Sequence, residues 1–101
     1  METVVYGVLK EEKQRNLEMQ KIHSEELALL RKGSISQKRV GTKTYYYLKY
    51  RQGERVISEY IGSDPQVVKS IKLELERRKR LQAVMKRLKE EHKQICKVVK
   101  D

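Results

Sequence analysis

Lysine, arginine and tyrosine alternate through one stretch of this 101-residue chain in a pattern suited to a polyanion that carries aromatic rings. Lys38, Arg39, Lys43, Tyr45, Tyr47, Lys49, Arg51, Arg55 and Tyr60 stand close together, and Arg77, Arg78, Lys79 and Arg80 follow as an unbroken basic run. Ammonium and guanidinium groups bind phosphate oxygens, and a phenol ring stacks on any nucleobase, because every base has a π face. Each set also has a plainer reading. In a chain without Phe or Trp, some of the five tyrosines between Thr44 and Gly62 must build a core. Four consecutive residues point all round a helix, so two or three of the 77–80 run face any one ligand, and their stems equally suit a solvated outer face.

The residues from which catalysis is built are sparse. The histidines are His23 and His92, the single cysteine is Cys96, and the aspartates are Asp64 and Asp101. His92 and Cys96 are four apart, on one face of a helix, which is half a zinc site, and no second pair of ligands exists to complete it. Glu11-Glu12, Glu25-Glu26 and Glu90-Glu91 are adjacent only in sequence; neighbouring helix positions diverge by about 100°, so they form no acid/base dyad. No phosphate-binding glycine loop, nucleophile elbow or metal motif is present, and the expectation is a non-enzymatic protein without cofactor or metal.

Charge points the same way as the side-chain chemistry. Against 24 Lys and Arg stand 14 Asp and Glu, a formal net charge of +10. Residues 1–32 carry six bases and six acids, residues 33–62 six bases and two acids, and residues 63–101 twelve bases and six acids. The first segment is neutral and the excess lies on the rest, where a polyanion is its natural partner. One cysteine excludes an intrachain disulfide framework. No apolar run approaches 18 residues and Met1–Leu9 lacks a signal-peptide pattern, so the expected location is cytoplasmic, away from membranes.

The elements that must position these groups follow from periodicity and punctuation. The length suits one domain, residues 1–101. From about residue 4 to 31 the chain is rich in Glu, Lys, Gln and Leu, with an imperfect apolar stripe through Val5, Val8, Leu9, Met19, Ile22, Leu27, Leu29 and Leu30; Gly33 follows as a stop. A three-stranded antiparallel meander over about 34–61 comes next, with strands Ile35–Val40, Thr44–Arg51 and Glu54–Ile61. Taking Gln52-Gly53 as the two-residue turn pairs Arg51 with Glu54, Leu48 with Ile57 and Tyr46 with Glu59. Tyr46, Leu48, Tyr50, Ile57 and Ile61 then share the core face, and Tyr45, Tyr47, Lys49, Val56, Ser58 and Tyr60 the other. Asp64 before Pro65 marks the start of a long helix over about 65–99. Its stripe passes from Val68, Ile71 and Leu75 to Leu81, Val84/Met85, Leu88, Ile95 and Val98/Val99, drifting across Arg78 and Gln82. The first half of such a helix packs on the sheet and the second on the first helix, coiled-coil fashion, or on another copy in a homodimer. The fold class is α+β.

The hairpin has a recognisable pattern. GSIS followed by TYYYLKYRQGERVISEYIG and an ELERRKRLQ helix resembles a group of small, mostly uncharacterised prokaryotic proteins in which a tyrosine-rich hairpin precedes a long helix. It is also similar to hairpins near the start of some transposases and in short proteins found with mobile elements. The resemblance runs from Gly33 to Leu81, and the matching positions are Tyr45–Tyr47, Lys49, Tyr50, Arg51, Gly53 and Tyr60-Ile61-Gly62. It implies a mobile-element or defence context and a nucleic-acid-binding hairpin; the acidic catalytic domain of a transposase has no counterpart. Residues and resemblance together predict a nucleic-acid-binding module, with DNA expected before RNA. The competing reading is a protein that inhibits or assists a nucleic-acid enzyme, such as an antitoxin or a phage-borne, anti-CRISPR-like inhibitor. The neutral first segment, which a pure DNA binder does not need, is the reason to keep it.

Overall fold

Capping residues and turn glycines set the element boundaries in the computed structural model, which describes residues 3–100. Five elements follow one another: α1 (Val4–Leu29), β1 (Ser34–Val40), β2 (Lys43–Gln52), β3 (Arg55–Gly62) and α2 (Pro65–Cys96). This is the α+β order expected, with both helices ending two or three residues early. Thr3 caps α1, its Oγ1 accepting from the Tyr6 amide at 3.1 Å, a cap that the sequence reading missed. Asp64 caps α2 as expected: its Oδ1 accepts from the Gln66 amide at 2.9 Å, and its carbonyl from the Val68 amide at 3.1 Å. Asp64→Ala is expected to lower stability by about 1 kcal/mol, read as a shift in the urea midpoint at unchanged slope.

The three strands form an antiparallel sheet in the order β1-β2-β3. The second hairpin differs from expectation in its turn. Gln52 pairs with Arg55, so the two loop residues are Gly53 and Glu54, not Gln52 and Gly53. Gly53 has φ of 63° and, among the described residues, no non-glycine residue has positive φ, the pattern of a type II′ turn with glycine first. Placing glycine second would have asked Gln52 for the left-handed region, which costs a side chain about 1–2 kcal/mol. The corrected partners are Leu48 with Glu59, Tyr50 with Ile57 and Tyr47 with Tyr60. The turn moves by one residue and each partner by two, so side-chain parity is preserved and the two expected faces stand as far as Tyr60; Ile61, expected on the core face, has no partner in the ladder. A bulge between Tyr46 and Tyr47 then ends the regular ladder, as Tyr46 pairs with Gly62.

Gly33 serves the sheet and not the helix. It has φ of 123°, and a Cβ there would collide with the Lys49 carbonyl oxygen. Glycine at this position lets the chain enter β1 against β2.

The chain divides into two compact units, and α2 contributes to both. One unit is Leu30–Lys79, the sheet with the first part of α2. Its core is Leu48, only 2% exposed, with Val68 and Ile71 from two successive turns of α2. Ile35 and Leu75 line a shared hollow, so α2 lies on the face that carries Leu48. Arg78 occupies the next inward position: half-buried, its Nη1 donates to the Leu30 carbonyl at 3.3 Å. The drift expected at this point is a charged residue used as an inward one. Beside it, Glu74 accepts from the Arg31 amide at 2.8 Å and pairs with its guanidinium at 3.3 Å.

The other unit combines α1 with α2 from Arg80 onward. Leu81 and Val99 are buried in it, as the stripe predicts, whereas Val98, named with Val99, is exposed. α1 departs from expectation. Its inward positions, spaced by three and four, are Tyr6, Leu9, Lys13, Asn16, Gln20, His23 and Leu27, all buried or half-buried. Val4, Val5, Val8, Ile22 and Leu29, assigned to or beside the apolar stripe, lie exposed. Asn16 is the buried centre of this polar seam at 6% exposure; its Nδ2 donates to the Leu88 carbonyl at 2.9 Å, and Gln20 donates to its Oδ1 at 2.6 Å. A satisfied asparagine at such a position fixes the register of a helical pair at some cost in stability.

Candidate nucleic-acid interface

Because side chains alternate along a strand and directly paired residues share a side, the register assigns every sheet residue to a face. Ile35, Tyr46, Leu48, Tyr50, Ile57 and Glu59 are on the face that α2 covers. The opposite face carries Ser34, Ser36, Lys38 and Val40 from β1, Lys43, Tyr45, Tyr47, Lys49 and Arg51 from β2, and Val56, Ser58 and Tyr60 from β3. Its charges are all positive. Glu59 is on the covered face and Glu54 in the turn, so no carboxylate of the hairpin region belongs to the open face.

Tyrosine rings gather at the middle of this face. The Tyr47 and Tyr60 ring centroids are 5.4 Å apart with planes at 55°, and those of Tyr45 and Tyr60 are 6.2 Å apart at 50°. Tilted pairs at these distances stabilise a sheet surface by about 0.5–1.5 kcal/mol beyond burial, enough to hold the rings in place without a cover. Tyr60 remains 55% exposed. With Lys38 and Val40 the three rings line an open hollow of about 320 Å³. Along β2 the same face reads Lys43, Tyr45, Tyr47, Lys49, Arg51, with cations at both ends and rings between.

Of the twelve sequence-predicted site residues, the structure thus brings Lys38, Lys43, Tyr45, Tyr47, Lys49 and Arg51 together. Arg39, opposite Thr44, and Arg55, opposite Gln52, project to the other side. Arg78 turns inward to Leu30, and Lys79 lines the hollow of Ile35 and Leu75, on the covered side. Arg77 and Arg80 are exposed on α2. Substituting the whole 77–80 run would therefore disturb packing as well as charge. Tyr60, read in the sequence as one of the interleaved aromatics, is the ring to which both others turn.

His92 and Cys96 do meet, with Sγ at 3.7 Å from Nδ1 and 3.6 Å from Nε2. Among the described residues no third His, Cys, Asp or Glu joins them in a group able to hold a metal ion. Among the same residues, no helix is long and apolar enough to cross a membrane.

No curated protein and no solved structure matches the chain. Residues 9–72, which run from α1 through the whole meander into α2, match the model of a domain of unknown function, DUF6788, and the chain belongs to that family.

Proposed function

We propose that this protein is a small nucleic-acid-binding module without chemistry of its own, and that the open face of its sheet is the binding surface. The observation that carries the reading is one face with four cations, three clustered tyrosines and no carboxylate. Lys38, Lys43, Lys49 and Arg51 hold phosphates, and the rings meet the nucleotides between them. Arg77 and Arg80 add to the positive field from α2. DNA is the expected form before RNA, in the mobile-element or defence setting that the hairpin's resemblance implies, and the cytoplasm is the compartment in which Cys96 stays a thiol.

The test is a titration of labelled DNA and RNA across a salt series, after purification in high salt. Four neutralised phosphates give log K against log salt a slope of about −3.6 on duplex and about −2.8 on a single strand. A salt-independent constant, or no binding at roughly 50–200 mM salt, rejects the proposal.

One observation favours a second reading, an inhibitor of or accessory to a nucleic-acid enzyme. α1 exposes Val4, Val5, Val8, Ile22 and Leu29, apolar surface that a DNA binder does not require. Inhibition of such an enzyme that survives reversal of the open-face charges would support it.

A further inference from the structure

We infer that the tyrosine hollow takes the face of an unpaired base, so that the strand recognised is single and not duplex. The inference rests on the nucleic-acid reading above and names the form of its ligand. Three features of the open face carry it.

The first is what the hollow is made of. Tyr45, Tyr47 and Tyr60 supply ring surface, Val40 an apolar edge and Lys38 one ammonium. A duplex groove is read through base edges, by forked donors and acceptors such as Arg, Asn and Gln aimed at them. Base faces are closed off by stacking in a duplex and become available only when the base is unpaired. This hollow offers ring surface for a face; its polar groups are single phenol hydroxyls and one ammonium, with no forked amide or guanidinium to read an edge.

The second is size. At about 320 Å³ the hollow is at the small end of ligand sites, which run from about 300 to 1,000 Å³. It suits one nucleoside at a time.

The third is the order of side chains along β2. Residues on one face recur about every 6.8 Å, twice the rise of a strand. A chain laid along Lys43, Tyr45, Tyr47, Lys49 and Arg51 meets a cation, then rings, then two cations. Phosphates are thereby held before and after the stacked base. The tilt of 50–55° between rings keeps them from closing on one another, and Tyr60 keeps more than half its surface open.

Three probes with matched phosphate number test this on the full chain: oligothymidylate, the same backbone made abasic, and a blunt duplex hairpin. Tyr60→Leu and Tyr60→Trp are compared with the parent, their folding checked by circular dichroism. Tyr60 is exposed enough for both to fold. The expected result is tightest binding to oligothymidylate, a loss of about 5- to 150-fold in Tyr60→Leu at unchanged salt slope, and recovery in Tyr60→Trp. Equal affinity for the abasic strand, or for duplex with Tyr60→Leu indistinguishable from parent, overturns the inference and leaves the nucleic-acid reading intact. Failure of every probe removes that reading, and the inference falls with it.

Discussion

Replacing Lys38, Lys49 and Arg51 together by glutamate is expected to abolish nucleic-acid binding. Non-specific association is almost wholly electrostatic, with dissociation constants of about 10⁻⁴–10⁻⁶ M, so a loss of about two orders of magnitude leaves nothing to measure. Each lost phosphate contact also flattens the salt slope by about 1, and the triple variant should show almost none. All three side chains are exposed, so the fold has no reason to respond. Arg77→Glu with Arg80→Glu is the informative comparison: these cations are on α2, outside the open face, and removing them costs only their through-space share of the attraction. Fluorescence anisotropy on both variants decides the matter. Equal losses per charge reversed, three in one variant and two in the other, would mean that total charge, and not the arrangement of one face, governs affinity.

Leu48→Ala is expected to destabilise the sheet unit by about 3 kcal/mol, within the range of about 2–5 for buried leucines. Leu48 is at the centre of the middle strand, and with Val68 and Ile71 it is one of the three buried apolar side chains of this unit. Magnitude makes this severe. The unit Leu30–Lys79 is 50 residues, for which stability of about 3–8 kcal/mol is ordinary. The loss therefore takes away much or all of it. Five of the six tyrosines are in the sheet and the chain has no tryptophan, so the near-ultraviolet signal reports on the sheet almost alone. Urea unfolding followed there should shift strongly, and a change under about 1 kcal/mol would show that Leu48 is not the centre of the core.

The open face was legible in the sequence because parity is robust. Tyr45, Tyr47, Lys49 and Tyr60 were grouped correctly although the turn was misplaced, since moving a hairpin turn by one residue moves every partner by two. The misplaced turn came from reading Gln-Gly as a unit, when the φ of Gly53 requires glycine in the first loop position. The start of α2 was legible for a different reason: Asp64 and Pro65 act locally, without reference to the rest of the fold. What resisted reading depends on a partner. Nothing in Lys13, Asn16, Gln20 and His23 announces an inward face, and the apolar positions of α1 suggested the opposite one. Asn16 faces inward because a carbonyl at Leu88 and an amide at Gln20 meet it there, and those are facts of packing. Arg78 is the same case: its inward turn follows from an accepting carbonyl at Leu30, 48 residues away.

The outer position of β1 has a consequence for solubility. A sheet of three strands has two unsatisfied margins, and β1 is one, with Gln37–Val40 exposed along it. Such a margin is a template on which another chain could add a strand, and the usual defence is charge placed along it. Lys38 and Arg39 stand side by side there, one on each surface of the sheet, so a second copy approaching edge to edge meets repulsion whichever way up it arrives. The lysine that holds a phosphate in the proposed complex thus also disfavours strand addition at this margin of the free protein.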